Sequence, residues 1–216
     1  MNDWLGVFTS LTYLSVVLLM AHRVRRLNYH FDRYFTHIMV ANAWLLSRAL
    51  ISDLWLALIP PFAYLLFTFL NRSFKWVNGL NRMYQQNNFG ALYFALSYLI
   101  LTYVGYRFSP LATGAGMGLM VMAYGDGLAA LVGQHAGRYR YTLFHGHKTL
   151  EGSITMALVS MVVVALLSWV DQGAIAWPMV VLMGVLASFV EALSPYGLDN
   201  LFVPFLIYLL FVLMNI

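Results

Sequence analysis

The sequence predicts an all-α integral membrane protein of about eight transmembrane helices with both termini outside, and three observations predict it. Apolar stretches near twenty residues long recur with few charges inside them. Charged residues make up 9% of the 216 and hydrophobic residues 62%, for a mean hydropathy of +0.74, which is too apolar for a soluble domain. Ten of the 12 Lys and Arg fall after the first, third or fifth stretch, so alternate loops carry the positive charge, as cytoplasmic loops do.

The first span covers about 4–21 and is followed by Arg23, Arg25, Arg26 and Arg33. It lacks a basic leader and a small-residue cleavage site, so it reads as a retained helix. The second and third spans, about 35–51 and 54–70, are separated only by Ser52-Asp53, and Arg72, Lys75 and Arg82 follow the third. Fusing these two gives a seven-span alternative, which would place the first basic loop and the later ones on opposite sides. Between 78 and 88 lies the one long neutral-polar stretch, with Asn81 and Gln85 to Asn88; it reads either as a surface helix dipping Trp76, Met83 and Tyr84 into the interface or as a loop. The fourth span, about 90–106, ends at Arg107, and the fifth covers about 110–125. Arg138, Arg140 and Lys148 follow it, and the last three spans cover about 151–170, 175–193 and 200–215.

The whole chain, 1–216, reads as a single membrane domain without a soluble domain, low-complexity tract or clear repeat. No cysteine is present, which excludes disulfides and thiolate metal sites. A net charge of +4 and a pI near 9.4 suit anionic lipid headgroups at the cytoplasmic face. The basic residues are dispersed among short loops, so nucleic acid is a poor partner.

Charge near hydrocarbon costs a few kcal/mol unless it has a partner or a task. Four of the eight acids, Asp126, Glu191, Asp199 and Glu151, lie in or beside the last loops, on the side the basic residues mark as cytoplasmic. Carboxylates of this kind suit magnesium, which takes one or two of them together with phosphate oxygens and water. Gly125, Gly127, Gly133 and Gly137 would allow a tight turn at the end of the fifth span and close approach of backbone N–H groups to a phosphate. Arg138, Arg140 and Lys148 would add positive charge. Together these residues predict a magnesium-nucleotide site at the membrane surface. The competing readings are structural: Gly114 with Gly118 and Gly133 with Gly137 have the spacing that packs membrane helices, within a chain or between two copies in a homodimer. Glu191 could neutralise an arginine, and Lys148 could anchor the interface. His135, His145 and His147 show no zinc pattern.

The run Gly125-Asp126-Gly127-x-Ala129-Ala130-x-x-Gly133, then Gly137-Arg138, then Lys148-Thr149-Leu150-Glu151-Gly152-Ser153, resembles the membrane CTP-using superfamily of phytol kinases, dolichol kinases, yeast-type diacylglycerol kinases and, more distantly, CDP-diacylglycerol synthases. Glu191-Ala192-Leu193 with Leu198-Asp199-Asn200-Leu201-Phe202-Val203-Pro204 is similar to the phytol and dolichol kinase branch in particular. The resemblance covers roughly 110–210 as a catalytic core, and the spans of 1–106 match less well. There, Arg33-Tyr34-Phe35-Thr36-His37 keeps the arginine and histidine of an Arg-Lys-x-x-His signature and has tyrosine in place of the lysine.

The resemblance implies phosphoryl transfer from CTP, with Mg2+ as cofactor, to a lipid alcohol held in the bilayer. It implies Asp126, with Asp199 or Glu191, as metal ligands and Lys148 and Arg138 as phosphate contacts, with Thr149, Gly152, Asn200 and the four glycines around the nucleotide. Glu151 is the expected general base, and Arg33 and His37 are expected near the substrate or a headgroup. A cytidylyltransferase making a CDP-lipid is the nearest rival, and a non-catalytic transporter or assembly subunit is the rival of another class. A transporter would spread its charges across bilayer depth, whereas these acids gather at one face.

Overall fold

The computed structural model describes residues 2–27, 31–74, 89–143 and 146–215. Nine helices, one 3-10 turn and one β-hairpin are present among them: α1 Asp3–Leu27, α2 Phe31–Leu50, α3 Leu54–Ala57, α4 Ile59–Phe74, α5 Gly90–Arg107, the turn Ser109–Leu111, α6 Ala112–Ala136, β1 Arg140–Leu143, β2 Gly146–Thr149, α7 Leu150–Gln172, α8 Trp177–Leu193 and α9 Asp199–Asn215. Among the described residues, four helical stretches are long and apolar enough to cross a membrane: Asp3–Arg23, Leu54–Arg72, Ser109–Ala136 and Leu150–Gln172. Trp177–Leu193 and Asp199–Met214 are apolar but shorter. The polar stretch 78–88 and His145 lie outside the described residues, as do Lys75 and Arg82.

Each expected span coincides with a helical region, and the departures have local causes. The third expected span is two helices. Asp53 caps α3, its Oδ1 accepting from the Leu56 amide at 2.9 Å, and the hydrogen-bond ladder is interrupted at Leu58 because Pro60 and Pro61 supply no N–H, although Leu58 keeps helical backbone and Leu54–Arg72 runs on as one helical stretch. Asp3 braces the same corner, taking hydrogen bonds from the Ser52 amide at 3.2 Å and the Asp53 amide at 2.8 Å. The described chain is mostly helical, as expected, with one addition: Arg140–Leu143 and Gly146–Thr149 pair antiparallel, Arg140 opposite Thr149 and Leu143 opposite Gly146. Its Tyr141, Thr142 and Leu143 are strand formers, and an apolar-run reading of the chain leaves such a polar segment as loop.

The largest correction concerns the fifth span. The expected turn at Gly125 does not occur, and α6 continues as helix through Asp126, Gly127 and Gly133 to Ala136. Here glycine supplies thinness. A Cβ at Gly125 would stand 2.5 Å from Met156 Sδ on α7, and one at Gly118 would stand 2.3 Å from the Pro204 carbonyl oxygen on α9. With α2, α5, α7 and α9 all packed on it, α6 is the axis of the molecule, and Met117, Leu119, Val121, Met122 and Ala123 are wholly buried. In contrast, α7 turns Ile154, Leu158, Val162, Leu166 and Trp169 outward. These recur every three or four residues and form one apolar stripe, as contact with hydrocarbon requires.

Candidate active site

Glu191 sits in the last turn of α8 and Asp199 opens α9. Pro195 cannot prolong α8, and Tyr196 (φ 56°) and Gly197 (φ 83°) both adopt left-handed backbone. The turn closes with the Leu198 amide on the Pro195 carbonyl at 3.1 Å and the Asn200 amide on the Gly197 carbonyl at 3.2 Å. This reversal brings Asp199 back beside Glu191. Asp126, in the C-terminal half of α6, completes the group.

One carboxylate oxygen from each of Asp126, Glu191 and Asp199 lies within 4.8 Å of the other two. All three residues are buried, at 6%, 4% and 6% exposure. The donor set is all oxygen. Magnesium–oxygen bonds of about 2.1 Å put opposite ligands about 4.2 Å apart, so the cluster fits one small divalent cation after a minor side-chain adjustment.

Lys148 enters from β2 and forms an ion pair with Glu191 Oε1. Its Nζ also donates to the Glu191 main-chain carbonyl at 3.4 Å. Burial works to lower the Lys148 pKa, but the Glu191, Asp199 and Asp126 carboxylates outweigh it and hold the group above the usual lysine value. Its positive charge therefore persists across the physiological pH range.

The hairpin that carries Lys148 is fastened at its base. Thr149 caps α7, its Oγ1 accepting from the Gly152 amide at 3.1 Å. Glu151 accepts from the Arg138 amide at 2.9 Å and the Tyr139 amide at 3.3 Å. Tyr141 and Ser153 are joined through their hydroxyls. A Cβ at Gly133 would lie 2.8 Å from Thr149 Oγ1, and one at Gly152 would lie 3.1 Å from the Ala129 carbonyl, so these glycines let α6 and α7 close on the cap.

Between the hairpin, the ends of α6 and α8 and the turn before α9 lies a cavity of about 870 Å³. The three carboxylates and Lys148 line it. Arg140 and His147 line it from the hairpin, Tyr34 from α2, and Gln134, Ser153 and Tyr196 elsewhere. Gln134 donates to the Tyr34 hydroxyl. The arrangement brings Lys148 and Arg140 and three carboxylates to one cavity, a combination that can hold a polyphosphate against a metal ion.

Among the sequence-predicted residues, Asp126, Gly133, Lys148, Thr149, Gly152, Glu191 and Asp199 line the cavity. Others stand elsewhere. Gly125 and Gly127 are buried in helix packing, against Met156 and Ile38. Gly137 ends α6 against the Thr149 methyl group, 2.6 Å from where its own Cβ would stand. Glu151 is engaged with main-chain amides, as above, and is not a cavity residue, so the expectation that it is the general base is not carried further. Arg138 is exposed and meets Glu151 through its amide. His37 is buried with its ring 3.9 Å from the Phe94 ring centroid, which makes it a core residue. The Arg33 side chain lies outside the described residues. Asn200 is buried behind Asp199, donating to its Oδ1 from Nδ2 at 3.0 Å and from the main-chain amide at 3.1 Å. Ser97 on α5 in turn donates to the Asn200 carbonyl at 2.8 Å.

Sequence reasoning missed Gln134, Ser153 and the Pro195-Tyr196-Gly197 turn as cavity walls. The turn carried a usable signal, since proline and glycine fall between two acids that must converge. Tyr34 was visible only as the residue standing in place of a lysine.

No family model and no solved structure matches this chain. The chain is 33% identical over 207 residues to a protein of Synechocystis sp. described as phytol kinase, an alignment covering 93% of this chain and 88% of the relative.

Proposed function

Because the chain belongs to the membrane lipid kinase family that includes phytol kinase, we propose that it transfers the γ-phosphoryl group of CTP to the hydroxyl of a membrane lipid alcohol, an isoprenoid alcohol or diacylglycerol. The observation that carries this reading is the meeting of Asp126, Glu191, Asp199 and Lys148 in one cavity that Arg140 and His147 also line. Phosphoryl transfer asks for in-line placement and charge neutralisation more than covalent participation by the protein. Lys148, Arg140 and His147 hold phosphate oxygens. Carboxylates of the cluster would hold magnesium, which would supply neutralisation of the triphosphate charge. The lipid hydroxyl oxygen bonds to the γ-phosphorus as the bond from that phosphorus to the β-phosphate oxygen breaks, and the hydroxyl proton is released to water. Lipid phosphate and CDP leave. The tail enters sideways between helices, with the hydroxyl at the cytoplasmic rim of an eight-span protein whose termini are outside.

The test is to incubate the purified protein with magnesium, CTP labelled at the α or γ position, and a panel of phytol, longer polyprenols, diacylglycerol and phosphatidate. We expect γ-label in an isoprenoid alcohol or diacylglycerol, and a loss of about a hundredfold or more in Asp126→Asn. Label passing only from α-CTP to phosphatidate would instead identify a cytidylyltransferase, and absence of any transfer would end the enzymatic reading.

A further inference from the structure

Glu191 holds Lys148 at two points. Its Oε1 forms the ion pair and its main-chain carbonyl accepts from the same ammonium, so both hydrogen bonds of Nζ to described residues go to one partner. The lysine side chain is one quarter exposed and lines the cavity, while the Glu191 side chain is 6% exposed. An ammonium has three donors. With two committed to Glu191, the third is left for a ligand in the cavity. The strand beneath is fixed by the Thr149 cap and by pairing of Lys148 with Tyr141, so the ammonium is placed from both ends. A dication on the same carboxylate oxygen as this ammonium would meet its repulsion at short range.

We infer that Glu191 is a positioning residue that aims Lys148 at a phosphate group, and that the divalent cation is held by Asp126 and Asp199 without it. This rests on the magnesium-nucleotide reading of the cavity and divides the labour of its three acids. Glu191 and Lys148 then form one functional unit for the nucleotide, and the two aspartates form another for the metal.

The two units separate in binding measurements that need no turnover. Mn2+ binding to the detergent-solubilised full chain is followed by electron paramagnetic resonance, and CTP binding by equilibrium dialysis. The expected result is that Glu191→Gln and Lys148→Met each weaken CTP binding by about tenfold to a hundredfold, the scale of a lost charge-assisted hydrogen bond. The Glu191→Gln/Lys148→Met double variant should be no weaker than either single variant, and Mn2+ affinity should stay within about twofold in Glu191→Gln while Asp126→Asn loses it. Glu191→Asp, which keeps the charge, should recover part of the CTP affinity. Loss of Mn2+ binding in Glu191→Gln comparable to that in Asp126→Asn would overturn the inference, as would unchanged CTP affinity, additive losses in the double variant or no CTP binding by the unsubstituted protein. Should these bindings behave as expected while no lipid accepts phosphate, the kinase reading would fail and the division of roles would stand.

Discussion

Asp126, Glu191 and Asp199 stand out in the sequence because a carboxylate in so apolar a chain needs a partner or a task, and the fold brings all three within 4.8 Å of one another. Glu151 and Asn200 show the limit of that logic. Glu151 lies only three positions from Lys148, yet its carboxylate turns to the Arg138 and Tyr139 amides. Asn200 adjoins Asp199, but neighbours on a helix point about 100° apart, so Asn200 faces the core while Asp199 faces the cavity. Chain proximity gives no side-chain direction. Removing the acceptor in Glu151→Ala should therefore lower the thermal midpoint of the protein while leaving the KM for CTP unchanged; a raised KM at unchanged midpoint would place Glu151 in the site after all. Asn200→Ala should raise the magnesium concentration needed for half-maximal transfer by about tenfold or more, the usual scale for losing a group that orients a metal ligand, with the KM for the lipid unaffected.

The expected glycine turn after the fifth span is helix at the level of elements, and this is where sequence reasoning erred most. Glycine permits both a left-handed turn and close helix contact, and the same letters stand for either. Tertiary partners decide: Gly118 lies against the Pro204 carbonyl and Gly125 against Met156, whereas Gly173, at φ 67°, ends α7 with nothing within 4 Å of its Cβ direction. Gly118→Ala should thus destabilise by about 1–3 kcal/mol through overpacking of α6 on α9. Gly173→Asn should be close to neutral, since asparagine tolerates the left-handed region and space is open there. Thermal unfolding of the two variants in detergent compares them directly. The β-hairpin escaped notice because an apolar-run analysis leaves polar segments as loop, although Tyr141-Thr142-Leu143 alternates as a strand does.

At the scale of the whole molecule, the absence of cysteine makes the eight-span reading directly testable. Single cysteines at the exposed Ala174 and Tyr139 fall on opposite sides in that reading, so a membrane-impermeant maleimide added outside intact cells should label Ala174→Cys and spare Tyr139→Cys until the membrane is opened. The reverse pattern would invert the orientation, and equal labelling would remove the eight-span count. What the sequence determined by itself was the helical, apolar character of the chain and the identity of its rare acids, because both follow from composition and short-range periodicity. Only the tertiary structure decided which glycines are packing surfaces, which carboxylate braces the hairpin, and that Lys148 answers to Glu191 across 43 positions of chain. Those are matters of side-chain direction and through-space distance, set when α6, α7, α8 and α9 close on one another, and no local stretch of sequence contains them.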